Sequence, residues 1–63
     1  MAQVIDQIIN NPDKDYPDNY GTITVVVRDT ETGESKVASC EYDHFKSEGD
    51  ATTEAAQDAM DKF

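Results

Sequence analysis

Thr22-Ile23-Thr24-Val25-Val26-Val27-Arg28 is the stretch that decides the fold. It is rich in β-branched residues and alternates, with Ile23, Val25 and Val27 on one side and Thr22, Thr24, Val26 and Arg28 on the other. Residues with restricted χ1 pack well on a pleated surface, so this segment predicts a strand. Thr30-Glu31-Thr32-Gly33 follows, with glycine near its end as in a hairpin loop, and Lys36 to Tyr42 (KVASCEY) predicts the returning strand. A four-residue loop pairs Asp29 with Glu34 and Ile23 with Cys40. A three-residue loop would slip every pairing by one and set Glu41 beside Ile23. A one-residue slip moves a strand's whole apolar set to the other face, so the four-residue loop is preferred. The expected core face is then Ile23, Val25, Val27, Ala38, Cys40 and Tyr42, with Cys40 buried.

Outward from the hairpin, Val4, Ile5, Ile8 and Ile9 recur at helical spacing and predict a helix over residues 2–10. Asn10-Asn11-Pro12 would end it, since a residue before proline is pushed out of the α region. Residues 11–21 (NPDKDYPDNYG) read as a loop, with Tyr16 and Tyr20 as anchors and room for a short extra strand between them. Residues 43–50 (DHFKSEGD) read as a second connection, anchored by Phe45. Thr52 or Thr53 would cap a final helix over 53–63. Its stripe would be Ala56, Ala59, Met60 and Phe63, and Asp58 with Lys62 would form an i,i+4 pair. The expected fold class is α+β. Residues 1–63 form one two-layer domain, an antiparallel β-hairpin or small sheet with an N-terminal and a C-terminal helix in the order α-β-β-α.

Sixty-three residues allow one domain with a thin stability margin. Cys40 is the lone cysteine, so neither an intramolecular disulfide nor a structural zinc site supports the core. Either the core is efficient or a homodimer helps. Fourteen acids against five bases give a formal charge of −9. That charge argues against direct binding of nucleic acid or of anionic membranes and in favour of a basic partner. Its self-repulsion predicts stability that rises with salt and with mild acidification. The longest apolar run is Val25-Val26-Val27, far short of a membrane span. The opening MAQVIDQIINN lacks a basic flank and a signal-like apolar segment, and the single cysteine suits a reducing compartment. The cytoplasm is the expected location.

No catalytic constellation is present, and the chain is not expected to be an enzyme. His44 stands alone in a polar connection, and no serine lies in a nucleophile elbow. Cys40 falls mid-strand, away from the electropositive, partly exposed setting that activates a thiol. Asp13, Asp15 and Asp18 resemble the start of a calcium loop, but Pro17, Asp18 and Thr24 stand where that motif needs an oxygen ligand, glycine and glutamate. No metal or other cofactor is expected. The isolated glycines match no phosphate-binding pattern.

What remains is the placement of the acids. Strand one begins near Thr22 and strand two ends near Tyr42, so both flanking segments leave the same open end of the hairpin. Asp13, Asp15 and Asp18 should therefore lie near Glu41, Asp43, Glu48 and Asp50, beside Tyr16 and Tyr20. These nine residues are the candidate partner-binding set. Asp29, Glu31 and Glu34 form a second group at the turn, roughly 20 Å away by strand rise. Two negative clusters on one ribbon could imitate the phosphates of a duplex, although a solvated acidic surface would look the same.

The elements VIDQIINNPDKDY, ITVVVRD, TETG, KVASCEYD and EAAQDAMDKF, with this charge, resemble the small acidic anti-CRISPR proteins of bacteriophages. The resemblance is to the type II-A inhibitors that act as DNA mimics on Cas9, and it is one of element pattern and charge. It implies a phage or mobile-element inhibitor in a bacterial host cell. The partner it implies is a basic host defence protein, a nucleic-acid-binding nuclease or CRISPR effector. The alternative is an acidic interaction module or antitoxin-like regulatory subunit pairing through a sheet edge.

Overall fold

The computed structural model describes residues 2–63. The order of elements is β1 (Gln3–Pro12), β2 (Gly21–Asp29), β3 (Ser35–Tyr42) and α1 (Glu48–Met60). The strands form one antiparallel sheet in the order β1-β2-β3, and α1 lies across β2 and β3. The class is α+β, but the architecture is β-β-β-α.

The N-terminal segment is therefore a strand and not a helix. Val4, Ile5, Ile8 and Ile9 satisfy helical spacing, but they also satisfy a strand broken by one bulge. The pairing of β1 with β2 shifts between Ile5 and Gln7, leaving Asp6 as the extra residue. That shift sets Ile5 and Ile8 opposite Val27 and Val25, and Val4 and Ile9 opposite Arg28 and Thr24. A nine-residue helix is marginal in water, whereas a third strand supports a hairpin that is weak by itself. Tertiary pairing prevails. Ala2 secures the start, its carbonyl accepting from Thr30 N at 2.8 Å and Thr30 Oγ1 at 3.2 Å.

The β2–β3 hairpin has the four-residue loop and the expected register, with Ile23 opposite Cys40 and Val25 opposite Ala38. Asp29 N donates to Glu34 O at 2.9 Å, and Gly33, at φ 78°, closes the turn in a conformation that costs other residues. Asp29 itself is buried. Its Oδ1 accepts from Glu31 N at 2.8 Å and Thr32 N at 3.4 Å, so it belongs to the turn and not to a surface cluster.

The core comprises Ile23, Val25, Val27, Ala38 and Tyr42 from the sheet and Ala51, Ala55, Ala56 and Ala59 from the helix. Small helix residues let the helix backbone approach the sheet closely. Met60, Phe63 and Cys40 pack at its margin, so Cys40 is half-buried and not fully enclosed. The helix begins earlier than its expected start. Ser47 is the cap, its Oγ accepting from Asp50 N at 3.1 Å, while the Thr52 and Thr53 hydroxyls donate back to Glu48 O and Gly49 O. Ser47 suits the cap because its extended backbone leaves its side chain free to meet an unpaired helix N–H. Lys62 donates to the Val37 carbonyl of β3, which takes it away from the expected pairing with Asp58. Residues 16–20 form turns, not an extra strand.

Candidate functional site

The β1–β2 connection and the β3–α1 connection meet at one end of the sheet. Each is shaped by an aspartate that accepts backbone hydrogen bonds. Asp13 Oδ2 accepts from Asp15 N and Tyr16 N, both at 2.9 Å. Asp43 Oδ1 accepts from Phe45 N and Lys46 N, both at 2.8 Å. Such turns are the usual business of aspartate. The Phe45 and then the Lys46 amide hydrogens favour the ionised form of Asp43 and hold its carboxyl below the ordinary value.

These turns aim four rings outward in a row. Tyr16 meets Tyr20 edge-on at 5.9 Å, Tyr20 meets His44 at 5.8 Å, and His44 lies 4.0 Å from Phe45. The Tyr20 hydroxyl and His44 Nδ1 are hydrogen-bonded at 2.9 Å, which ties the two connections together. Phe45 is 87% exposed and Tyr16 65%. Rings that touch one another while facing solvent form a joined apolar surface, unlike isolated exposed residues.

Acids rim this row. Asp13, Glu41 and Asp43 line one shallow depression beside Tyr20, and Asp18, Asp43, Glu48 and Asp50 line a second beside His44 and Phe45. Asp15 and Tyr16 lie outside both hollows, in the turn itself. Glu48 and Asp50 stand in the first turn of α1, where the helix dipole favours negative charge. Among the described residues no three His, Cys, Asp or Glu side chains converge closely enough to hold a metal ion. The charge is spread along a surface and not focused on a point.

Sequence reasoning named every acid and both tyrosines of this region, but it took Tyr16, Tyr20 and Phe45 as anchors of their connections, whereas Tyr16 and Phe45 face solvent. It treated His44 as an ordinary surface residue, whereas His44 links Tyr20 to Phe45. No local signal marks that role. It exists only because two loops far apart in sequence end at the same place.

A second polar group lies along α1. Lys46 Nζ contacts Glu54 Oε2 and lies 3.7 Å from Cys40 Sγ. Burial first, and then Glu54, push the Cys40 thiol up, with Lys46 opposing them. A thiol held protonated is a poor nucleophile.

No protein-family model, curated protein or solved structure matches this chain. Among the described residues no helix is long and apolar enough to cross a membrane.

Proposed function

We propose that this chain is a stoichiometric inhibitor, not an enzyme, that acts in the cytoplasm of a bacterial host. It occupies the basic nucleic-acid-binding surface of a defence protein, in the manner of a phage anti-CRISPR DNA mimic. The observation that carries this reading is the joined row Tyr16–Tyr20–His44–Phe45 within a rim of acids. Exposed rings supply desolvated anchors, and the surrounding carboxylates speed encounter with a basic groove. Acids spaced along a surface suit a groove built for successive phosphates. The partner-binding residues would be Asp13, Asp15, Asp18, Tyr16, Tyr20, Glu41, Asp43, Glu48 and Asp50. The test is capture of a partner from bacterial lysate, followed by competition with duplex DNA across a salt series. Binding that weakens steeply with salt and excludes DNA supports the reading; a partner that holds DNA and this chain together sinks it.

A second reading, an acidic interaction or antitoxin-like regulatory module pairing through a sheet edge, is favoured by one observation. β1 is a long edge strand with four exposed aliphatic residues. Edge pairing would be little affected by salt, which separates the two readings.

A further inference from the structure

The helix covers β2 and β3 but hardly touches β1, so β1 is apolar and exposed on both faces. Val4, Ile5, Ile8 and Ile9 are 40%, 48%, 51% and 37% exposed. The other edge is treated differently, for there Lys62 occupies the Val37 carbonyl of β3. Natural edge strands are usually blunted by charge or proline. In β1 proline stands only at the end, and the one charged residue, Asp6, lies 3.7 Å from Arg28 Nε.

The order of residues in β1 is close to a palindrome: Val4-Ile5-Asp6-Gln7-Ile8-Ile9 runs apolar, apolar, polar, polar, apolar, apolar. The bulge gives that order a structural meaning. Because Asp6 is the extra residue, Val4 and Ile9 share the face opposite the helix, while Ile5 and Ile8 share the helix side. Neighbours directly opposite in an antiparallel pair must share a face. A strand of the same sequence laid antiparallel satisfies that rule with Val4 against the partner's Ile9 and Ile5 against the partner's Ile8. Asp6 then meets the partner's Gln7, whose amide can donate to a carboxylate. Without the bulge, Val4 and Ile9 would face opposite sides and this match would fail.

We propose that β1 pairs antiparallel with β1 of a second copy of this chain, about a two-fold axis between Asp6 and Gln7. The two sheets become one, with both helices on the same side. Ile5 and Ile8 of each copy then floor the groove between those helices. The matched order of residues selects this occupant: apolar side chains meet apolar ones, each Asp6 meets an amide donor, and β1 brings only one charge from each chain to the contact. Closure by the two-fold leaves no free copy of this edge, so the assembly stops at a dimer. Repulsion between two acidic chains makes the dimer tighten with added salt, opposite to the binding proposed above.

The test is sedimentation equilibrium of the full chain from micromolar to millimolar concentration, with folding checked by circular dichroism. The expected mass rises towards twice the 7.0 kDa of one chain. Gln7 is exposed, so changes there leave the monomer intact. Gln7→Glu opposes a carboxylate to the partner's Asp6 at two symmetric places and should weaken the dimer about tenfold; Gln7→Lys should tighten it by a similar factor. A mass that stays at one chain to millimolar concentration overturns the proposal and leaves β1 for another protein's strand. A dimer indifferent to both changes overturns it too, and moves the contact to the open sheet face around Val26 and Val37.

Discussion

Tyr42 on β3 donates its phenolic hydrogen to Asn10 Oδ1 on β1 at 3.1 Å, spanning the width of the sheet. The ring crosses Gly21 of the central strand so closely that a Cβ there would lie 2.3 Å from the Tyr42 oxygen. Glycine is required by this approach and not by its backbone angles. Tyr42 is 3% exposed, so the ring cannot swing into solvent without leaving the core. Gly21→Ala should therefore cost about 1–3 kcal/mol, as overpacking does. Tyr42→Phe should cost about 1 kcal/mol through the lost hydrogen bond. Urea denaturation midpoints measure both, and a neutral Gly21→Ala would contradict the packing described.

The helix start is tested by its cap. Ser47→Ala should cost about 1 kcal/mol, because Asp50 N loses its acceptor. Thr52→Ala and Thr53→Ala should each cost less, since those hydroxyls only donate back to carbonyls within the helix. If Thr53→Ala were the costliest of the three in thermal melts, the helix would start later than Ser47.

Acid should destabilise the fold. Asp43 is held low by the amides of Phe45 and Lys46, and Glu54 is held low first by Lys46 and then by Cys40. A carboxyl whose folded pKa lies below its unfolded one adds stability above the unfolded value and loses it as pH falls through the folded one. The loss should begin below the ordinary values of 3.8 and 4.5. The gain on mild acidification expected from net charge would need carboxyls shifted upward, and these two run downward. Melting temperatures between pH 6 and pH 3 should drop, and Asp43→Asn, which keeps the acceptor but not the charge, should flatten the drop. An unchanged acid limb in that variant would clear Asp43 of the effect.

Cys40 should label slowly with a thiol reagent at neutral pH despite its partial exposure. Burial and Glu54 both hold it protonated. Glu54→Gln removes one of these and frees Lys46 to favour the thiolate, so labelling should accelerate several-fold. Slower labelling of Glu54→Gln would show that access, and not ionisation, sets the rate.

Binding should depend on the loop end of the sheet. Neutralising Asp13, Asp15 and Asp18 to Asn, or Glu41, Asp43 and Glu48 to Gln or Asn, should slow association with a basic partner. Tyr16→Ala and Phe45→Ala should instead speed dissociation, each costing about 2 kcal/mol if they are anchors. Glu31 and Glu34 at the far turn should matter less, and Asp29 is kept out of that control because it is buried. Surface plasmon resonance against the captured partner reads all of these. Wild-type kinetics in both acidic triples would refute the proposed surface.

The sequence by itself determined the loop length and register of the β2–β3 hairpin, although the strands run slightly beyond their expected bounds. Alternation over Ile23, Val25 and Val27 and a glycine-ended turn leave one register that keeps Glu41 out of the core. It also determined the class, the acidity, and the meeting of acids at one end, because two connections leave a hairpin on the same side. The conformation of residues 3–12 was decided only by tertiary structure. Val4, Ile5, Ile8 and Ile9 fit a helix and a bulged strand equally well, and the free hydrogen-bonding edge of β2 chose between them. The cap at Ser47 was decided the same way. Ala51 and Ala55 had to reach the sheet, which drew the helix back past Thr52 and Thr53. The link from Tyr20 through His44 to Phe45 and the crossing of Gly21 by Tyr42 join residues distant in the chain. Local periodicity carries no record of such contacts, because they arise only when separate segments are packed against the same sheet.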